Sequence, residues 1–309
     1  TEQALITMGG LDPTPRTRER DEQPLVRLLQ DSDAGVLIIE LNDPDYSNAI
    51  DWAIAEDLRR AIDTAKTLSN VRAIVFQGQG EHFCVGVNPY NFIRRTKQLP
   101  VLTAARVTYD IYRAFVGVRD LKVPVICAVH GKVMGGGLAA ILNADYRICA
   151  KDALFNYGNL PRGVCPGLLL SENLERTVGK LWATELYIND YTITAQEAYE
   201  IGLVNEITED PQSAQQASLA MAQRIASYPG MGVQTTMSLM RPAIDEARLA
   251  RESLGIARCN VLGGAFGSGW KAEERRLDKG GSMGSSRELT TQSSPKNSQS
   301  DVIYEIIRI

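Results

Sequence analysis

The chain of 309 residues contains only two histidines, His82 and His130, too few for a multi-histidine metal site. Its five cysteines are odd in number and include no CxxC pair, so a disulfide framework is not expected. Lys plus Arg total 33 against 37 Asp plus Glu, which is not the basic excess of a nucleic-acid binder. No uninterrupted apolar run approaches the roughly 18 residues of a membrane span. We therefore expect a cytoplasmic protein with no bound metal, nucleic acid or membrane.

Both ends of the chain are polar. Residues 1–24 are charged, are broken by prolines and lack the features of a signal peptide, so we expect a disordered lead-in or linker. Residues 268–309 form a polar linker or tail, whose last nine residues, DVIYEIIRI, could begin another element or domain. A start at Thr1 and two linker-like ends indicate a domain cut from a larger polypeptide. A simple chain end with a tail that folds back is the equal alternative.

The body of the chain, residues 25–267, has the pattern of an α/β domain. Short apolar runs rich in β-branched residues predict four buried strands, at residues 35–41, 71–77, 123–129 and 146–150. Asp51 can cap a helix in which apolar residues recur at helical spacing. More helix is expected from Ser213 onward. Strands that alternate with helices need crossover connections, so a mostly parallel sheet is expected.

Three consecutive glycines, Gly135 to Gly137, lie between the third predicted strand and an apolar helix. They allow a tight turn and let a ligand approach the backbone closely. The first N–H groups of the helix are unpaired and carry a partial positive charge, which suits an anion or a developing oxyanion. The turn is not a phosphate-binding P-loop, because Leu138 and Ala139 follow it instead of a GK[ST] sequence.

A second glycine-containing loop, HFCVGVN from His82 to Asn88, follows the second predicted strand. Here Gly86 precedes the N–H of Val87. If the two loops converge, the N–H groups of Val87 and Gly136 could hold one carbonyl oxygen. Two donors aimed at a developing charge are worth several kcal/mol of activation barrier.

The order of motifs resembles the crotonase superfamily, also called the enoyl-CoA hydratase/isomerase family. The motifs are SNAI at 47–50, HFCVGVN, VPVICAVHGKVMGGGL at 123–138, ADYRICAKDALF at 144–155 and AQEAYEIGLVNEI at 195–207. The resemblance implies a ClpP/crotonase-like fold of repeated β-β-α units, with a helical C-terminal region that forms trimers. It also implies acyl thioester substrates, on CoA or on the phosphopantetheine of an acyl carrier protein, and no other cofactor.

By match to the family motifs, the oxyanion hole would be formed by the N–H groups of Val87 and Gly136. Its neighbours Gly86, Asn88, Gly135 and Gly137 would then line the thioester site. The implied chemistry is stabilisation of an enolate next to the thioester.

The acids of the family are replaced in this chain. The two glutamates of the hydratases match Ala139 and Asn159, and the usual aspartate of the oxyanion loop matches Asn88. The aspartate of the dienoyl isomerases is also missing, since Pro166 and Gly167 occupy that stretch. Alanine and asparagine cannot shuttle a proton, so ordinary hydration is disfavoured and plain isomerisation is weakened.

Decarboxylation of a glutaconyl-type thioester needs chiefly an electron sink, which an oxyanion hole supplies. Family decarboxylases of polyketide β-branching resemble this chain in lacking both carboxylates, and excision from a synthase suits the linker-like ends. Those enzymes carry a lysine and a tyrosine after the oxyanion loop and a late histidine. Tyr90 and Lys97 lie in the corresponding segment without matching spacing, and no histidine follows His130.

Other polar residues could complete such a site. Asn159 could face the substrate, Tyr157 could donate a proton to a carbanion, and Arg162 could pair with a substrate carboxylate. The simpler alternatives are a turn position for Asn159, a packed tyrosine for Tyr157, and solvated surface positions for Arg162, Tyr90 and Lys97.

Two alternative functions remain open. One is a hydratase, dehydratase, isomerase or thioester hydrolase that takes its acid or base from Glu172 or Glu175. The other is a non-catalytic crotonase scaffold.

Overall fold

The fold is described from a computed structural model that covers residues 24–31, 34–264 and 305–307. The predicted lead-in, residues 1–24, lies outside the described residues except for its last one. The predicted tail, residues 268–309, also lies outside them except for residues 305–307.

The described residues form ten strands in two sheets. In chain order they are β1 (Val26–Asp31), β2 (Val36–Leu41), β3 (Ala73–Gly78), β4 (Val125–Val129), β5 (Lys132–Met134), β6 (Tyr146–Ala150), β7 (Leu154–Asn156), β8 (Ile193–Thr194), β9 (Glu206–Thr208) and β10 (Glu305–Ile307). The larger sheet has the order β10-β1-β2-β3-β4-β6-β9, and the smaller has the order β5-β7-β8. From β2 to β9 the neighbours in the larger sheet are parallel, whereas β1 pairs antiparallel with β2 and with β10. The predicted mostly parallel α/β sheet is confirmed.

Nine α-helices accompany these strands in the described part of the chain. They are α1 (Trp52–Thr67), α2 (Arg94–Thr96), α3 (Val101–Val116), α4 (Gly136–Ile141), α5 (Leu170–Asn189), α6 (Ala195–Glu200), α7 (Pro211–Ala226), α8 (Gly230–Met240) and α9 (Glu246–Val261). A π-helical turn, Pro89–Ile93, precedes α2, and a 3-10 turn, Leu160–Arg162, follows β7. None of the described helices combines the length and the apolar character of a membrane span.

The predicted cap of α1 is present in the structure. The Asp51 carboxylate accepts hydrogen bonds from the N–H groups of Ala53 at 3.0 Å and Ile54 at 3.3 Å. Such a cap satisfies two backbone donors that have no partner within the helix. The helix then buries Ile54, Leu58 and further apolar residues on one face.

The central strands are covered on both faces, which explains their continuous apolar runs. Leu37 and Ile39 of β2 face the main core, to which α1 and α3 contribute. Their neighbours Val36 and Ile38 face the opposite way, into a second cluster that contains Ala214 and Ala222 of α7. All six residues of β2 are buried.

The two predicted site loops lie at one edge of the larger sheet. They follow β3 and β4, which are parallel neighbours, so their carboxyl ends open on the same side. A parallel bridge joins Cys84 of the first loop to Val133 of β5, just ahead of the glycine turn. A second bridge joins Ile50, before α1, to Val87. Short backbone pairings thus fix the two loops against each other.

Candidate active site

The first loop presents the backbone amide of Val87. The Ile50 N–H donates to Gly86 O at 2.7 Å, and the Asn88 N–H donates to Ile50 O at 2.8 Å. In such a parallel bridge the residue between the two bonded neighbours turns its own N–H and C=O away from the partner strand. No described residue accepts a hydrogen bond from the Val87 N–H. This amide is therefore available to a ligand.

The glycine turn presents a second amide. Gly135 has φ 48° and ψ −107°, a conformation that favours glycine, and its N–H donates to Asn156 O at 2.9 Å. Gly136 begins α4, and no acceptor for its N–H occurs in the described part of the chain. A β-carbon on Gly137 would lie 2.0 Å from Cys84 O, so only glycine fits at that position. The turn thus places the N-terminus of α4 in direct contact with the first loop.

The two loops are in van der Waals contact. A β-carbon placed on Gly86 would lie 3.2 Å from the Gly136 nitrogen, and one placed on Gly136 would lie 3.5 Å from Val87 Cγ2. Gly86 itself has φ 90°. The structure therefore brings Gly86, Val87 and Gly136 to one place.

These amides line a small cleft with a free volume of about 30 Å³. That volume is about the space of one or two water molecules. The lining is mostly apolar and includes Phe92, Ile93, Tyr112, Leu168 and Ile256. No carboxylate occurs among the described lining residues, and Arg162 is the one that carries a formal charge.

The two positions matched to the hydratase glutamates hold neutral side chains. Ala139 is 1% exposed on α4, and its N–H donates to Gly135 O at 3.0 Å. Asn159 lines the cleft, and its Oδ1 would be 2.8 Å from a β-carbon on Gly135. A neutral amide therefore lies beside the glycine turn at a position suited to contact with a ligand.

Arg162 ends the 3-10 turn after β7 and faces the cleft. Its Nη1 donates to Gly158 O, while its buried Nε has no partner among the described residues. The Gly158 N–H donates to the Asp190 carboxylate at 2.5 Å, which holds this turn in place. A partly buried guanidinium with an unpaired N–H is a ready site for a carboxylate.

Four other predicted residues, Asn88, Gly137, Tyr157 and Lys97, are not among the described lining residues of the cleft. Tyr157 is 1% exposed, its hydroxyl donates to Val164 O at 3.4 Å, and burial raises its pKa. Lys97 is exposed at the end of α2. Tyr90 belongs to the turn Pro89–Ile93, and its side chain lies outside the described part of the structure.

Two further polar residues of the cleft were not found from the sequence. Tyr112 on α3 is 3% exposed, and burial raises the pKa of its phenol above the ordinary value. Asn260 on α9 is 2% exposed. Both lie within helical patterns whose buried face is predictable, but no local signal tells which helix covers the cleft. The alternative acids, Glu172 and Glu175, are not among the lining residues.

One wall of the cleft is a strained turn. Leu168 and Leu169 have φ values of 59° and 61°, which β-carbon-bearing residues rarely adopt. The Asn143 amide donates to Leu168 O at 3.2 Å, and the Glu252 carboxylate accepts from Leu169 N–H at 2.6 Å. Glu252 is largely buried, and desolvation raises its pKa. Long-range contacts therefore hold this wall over Gly136. A β-carbon placed on Gly136 would lie 3.4 Å from Leu168 Cδ1.

No metal site is evident at this cleft. The described residues contain no group of three His, Cys, Asp or Glu side chains that could hold a metal ion.

Known proteins share this sequence pattern and this architecture. The family model for enoyl-CoA hydratase/isomerase matches residues 31–255, and the chain therefore belongs to this family of the crotonase superfamily. The chain is 30% identical over 242 residues to a probable enoyl-CoA hydratase of Mycobacterium tuberculosis, covering 74% of this chain and 82% of that protein. It is 27% identical over 207 residues to the mitochondrial Delta(3,5)-Delta(2,4)-dienoyl-CoA isomerase of Mus musculus, covering 64% of this chain and 63% of that protein.

A solved structure extends the likeness to the whole fold. The crystal structure of enoyl-CoA hydratase from Bacillus halodurans matches with a TM-score of 0.72 at 20% identity, covering 80% of this chain and 99% of that chain. The fold is thus that of the crotonases.

Proposed function

We propose that this chain is a lyase that decarboxylates a carboxylated acyl thioester of the glutaconyl type. The acyl group would be carried by CoA or by the phosphopantetheine arm of an acyl carrier protein. The observation that carries the proposal is the cleft itself. It offers two unpaired amides to a thioester oxygen, and none of its described lining residues is a carboxylate that could move a proton for hydration.

The reaction needs no base. The carbon–carbon bond to the carboxylate breaks, carbon dioxide leaves, and the electron pair passes through the conjugated double bond onto the thioester oxygen. The amides of Val87 and Gly136 stabilise the resulting dienolate, because their hydrogen bonds strengthen as charge builds there. A proton then adds to carbon and gives the neutral enoyl thioester.

Arg162 is proposed to bind the leaving carboxylate. Its guanidinium is the charged group of the described cleft lining, and its buried Nε is unpaired. The ion pair holds the substrate carboxylate in one orientation. It also stabilises the bound substrate more than the transition state, because the negative charge moves away from the carboxylate as carbon dioxide leaves. We therefore expect Arg162 to act in substrate selection and orientation more than in lowering the barrier.

Tyr112 is proposed as the proton donor. It carries the only hydroxyl among the described lining residues. Because burial raises its pKa, the phenol stays protonated at neutral pH and can donate to the carbanion of an enolate, a far stronger base. Tyr157, the donor considered from the sequence, has its hydroxyl engaged by Val164 O.

The second candidate is hydration or isomerisation of an enoyl thioester, the reactions for which the relatives are named. These reactions need a group that both accepts and donates a proton. Asn159 and Ala139 cannot do so, and Tyr112 is a poor base because burial disfavours the phenolate. A non-catalytic scaffold is the remaining alternative.

A comparison of thioester substrates distinguishes the three candidate functions. Glutaconyl-CoA and crotonyl-CoA, and the same groups on an acyl carrier protein, are incubated with the protein and followed by mass spectrometry. Loss of carbon dioxide from the glutaconyl group supports the proposal. Addition of water to the crotonyl group, without decarboxylation, favours a hydratase, and no change in any thioester favours the scaffold.

The trimer implied by the family remains part of the proposal. Helix α8 supports it, because it buries no residue of its own and exposes large apolar side chains, among them Met231 at 83% and Leu239 at 81%. Sedimentation at several protein concentrations would detect such an assembly. Cytoplasmic localisation is proposed from the free cysteines and the lack of a disulfide pattern.

A further inference from the structure

Asn260 is a buried polar residue in the lining of the cleft. It lies near the end of α9, is 2% exposed and lines the cleft with Phe92, Ile93 and Ile256. Its Nδ2 donates to the hydroxyl of Thr96 at 3.4 Å. Thr96 is itself buried at the end of α2.

The orientation of the Asn260 amide follows from Thr96. The Thr96 hydroxyl lies 3.0 Å from Phe92 O and 3.1 Å from Ile93 O, and it donates its single proton to these carbonyls. Its lone pairs are then left to accept, so the NH₂ group of Asn260 faces Thr96. The amide oxygen Oδ1 is the atom that remains.

Asn260 Oδ1 is buried and has no hydrogen-bond partner among the described residues. Such an atom is uncommon in a folded protein, because an unpaired buried acceptor loses its hydration without compensation. Its surroundings in the cleft are chiefly apolar. A bound molecule that supplies an N–H or O–H group would satisfy it.

We propose that Asn260 selects acyl groups that carry a hydrogen-bond donor, in the simplest case a hydroxyl, where the acyl chain meets α9. An alkyl group would leave Oδ1 unpaired, and a carboxylate would repel it. Arg162 presents the opposite polarity, an unpaired N–H that suits a carboxylate. The two side chains together specify a bifunctional acyl group, with an acceptor towards Arg162 and a donor towards Asn260. This inference rests on the proposed thioester substrate but not on the proposed reaction.

Binding of saturated thioesters tests the inference without any turnover. The affinity of hexanoyl-CoA is compared by calorimetry with that of hexanoyl-CoA carrying a hydroxyl at each carbon beyond the β position in turn. We expect one isomer to bind the wild-type protein about 10- to 100-fold more tightly than hexanoyl-CoA, the range for pairing a buried acceptor that is otherwise unpaired. In Asn260→Leu, a change of similar volume, this preference should fall to about onefold while hexanoyl-CoA binds at least as well.

The control is Ser253→Ala on the same helix. Ser253 is 1% exposed, and its hydroxyl donates to Leu249 O at 2.7 Å. Its substitution therefore perturbs α9 at a residue that does not line the cleft. It should keep the preference. If no isomer is preferred by the wild-type protein, or if the preference survives in Asn260→Leu, the inference is wrong, and a water molecule on Oδ1 is the better explanation. The wild-type comparison decides this even if the Leu variant does not fold. Loss of decarboxylation alone would leave the inference intact.

Discussion

The proposed oxyanion hole can be tested with two substitutions at Gly136, one that removes the backbone N–H and one that keeps it. Gly136→Pro removes the N–H, whereas Gly136→Ala keeps it and adds a β-carbon. Proline is tolerated at the first position of a helix, which Gly136 occupies in α4, so the fold should survive. Both variants add a β-carbon at the same position, so Ala controls for that atom, while proline also puts a ring carbon in place of the amide hydrogen.

The structure sets the size of each effect. The added β-carbon would lie 2.9 Å from Ile50 Cδ1 and 3.4 Å from Leu168 Cδ1. Both are ends of flexible side chains, so we expect Gly136→Ala to lose about 1–3 kcal/mol of stability through overpacking. In Gly136→Pro, loss of one oxyanion donor should also raise the activation free energy by ~3–4 kcal/mol, which lowers kcat about 100- to 1,000-fold.

The assay is single-turnover release of carbon dioxide from glutaconyl-CoA, with circular dichroism to verify folding. We expect Gly136→Pro to be slower than Gly136→Ala by about 100-fold or more. If the two variants react at the same rate, the Gly136 N–H does not stabilise the transition state, and the role given to this turn is wrong.

Three further predictions follow from other contacts. Arg162→Gln should lower kcat/KM for glutaconyl-CoA by about 10- to 100-fold and leave the affinity for crotonyl-CoA unchanged, because only the former carries a carboxylate; equal losses for both would exclude carboxylate recognition. Gly137→Ala should lower the free energy of unfolding by more than about 3 kcal/mol, since its β-carbon would be 2.0 Å from Cys84 O. Denaturant unfolding measures this loss, and an unchanged midpoint would contradict the packing. Glu252 has a raised pKa, so the native state binds the proton more tightly than the unfolded chain, and its contribution to stability is lost as pH rises from 4.5 towards the native pKa. Urea unfolding at several pH values should show Glu252→Gln gaining stability relative to the wild type as pH rises; a difference in stability that stays constant with pH would show that the pKa of Glu252 is not raised.

The motifs predicted the architecture because their signals are local. Three of the four predicted strands begin one or two residues before the observed strands β2, β3 and β4, and the fourth has the bounds of β6. Their continuous apolar runs reflect burial on both faces, which a parallel sheet requires. Strands β1, β5, β7, β8 and β9 were not predicted. Of these, β5, β7, β8 and β9 have only two or three residues, which carry no periodicity.

The polar residues of the cleft were harder to predict. From the sequence, Arg162 could either pair with a substrate carboxylate or lie at the solvated surface. The structure places it at the cleft, whereas Lys97 is exposed. Tyr112 and Asn260 come from α3 and α9, which are far from the glycine turn in sequence. Their side chains look like ordinary members of a helix face until the packing of these helices over the cleft is known.

The sequence by itself determined four of the strands, the capped helix, the glycine turn and the absence of the two family acids, because each depends on neighbouring residues or on residue type alone. The tertiary structure decided which donors meet. The amides of Val87 and Gly136 lie together only because β3 and β4 are parallel neighbours whose loops are bridged through Cys84 and Val133. Asn260 and Tyr112 reach the same cleft only because distant helices pack across it, and long-range packing of that kind leaves no mark in local sequence.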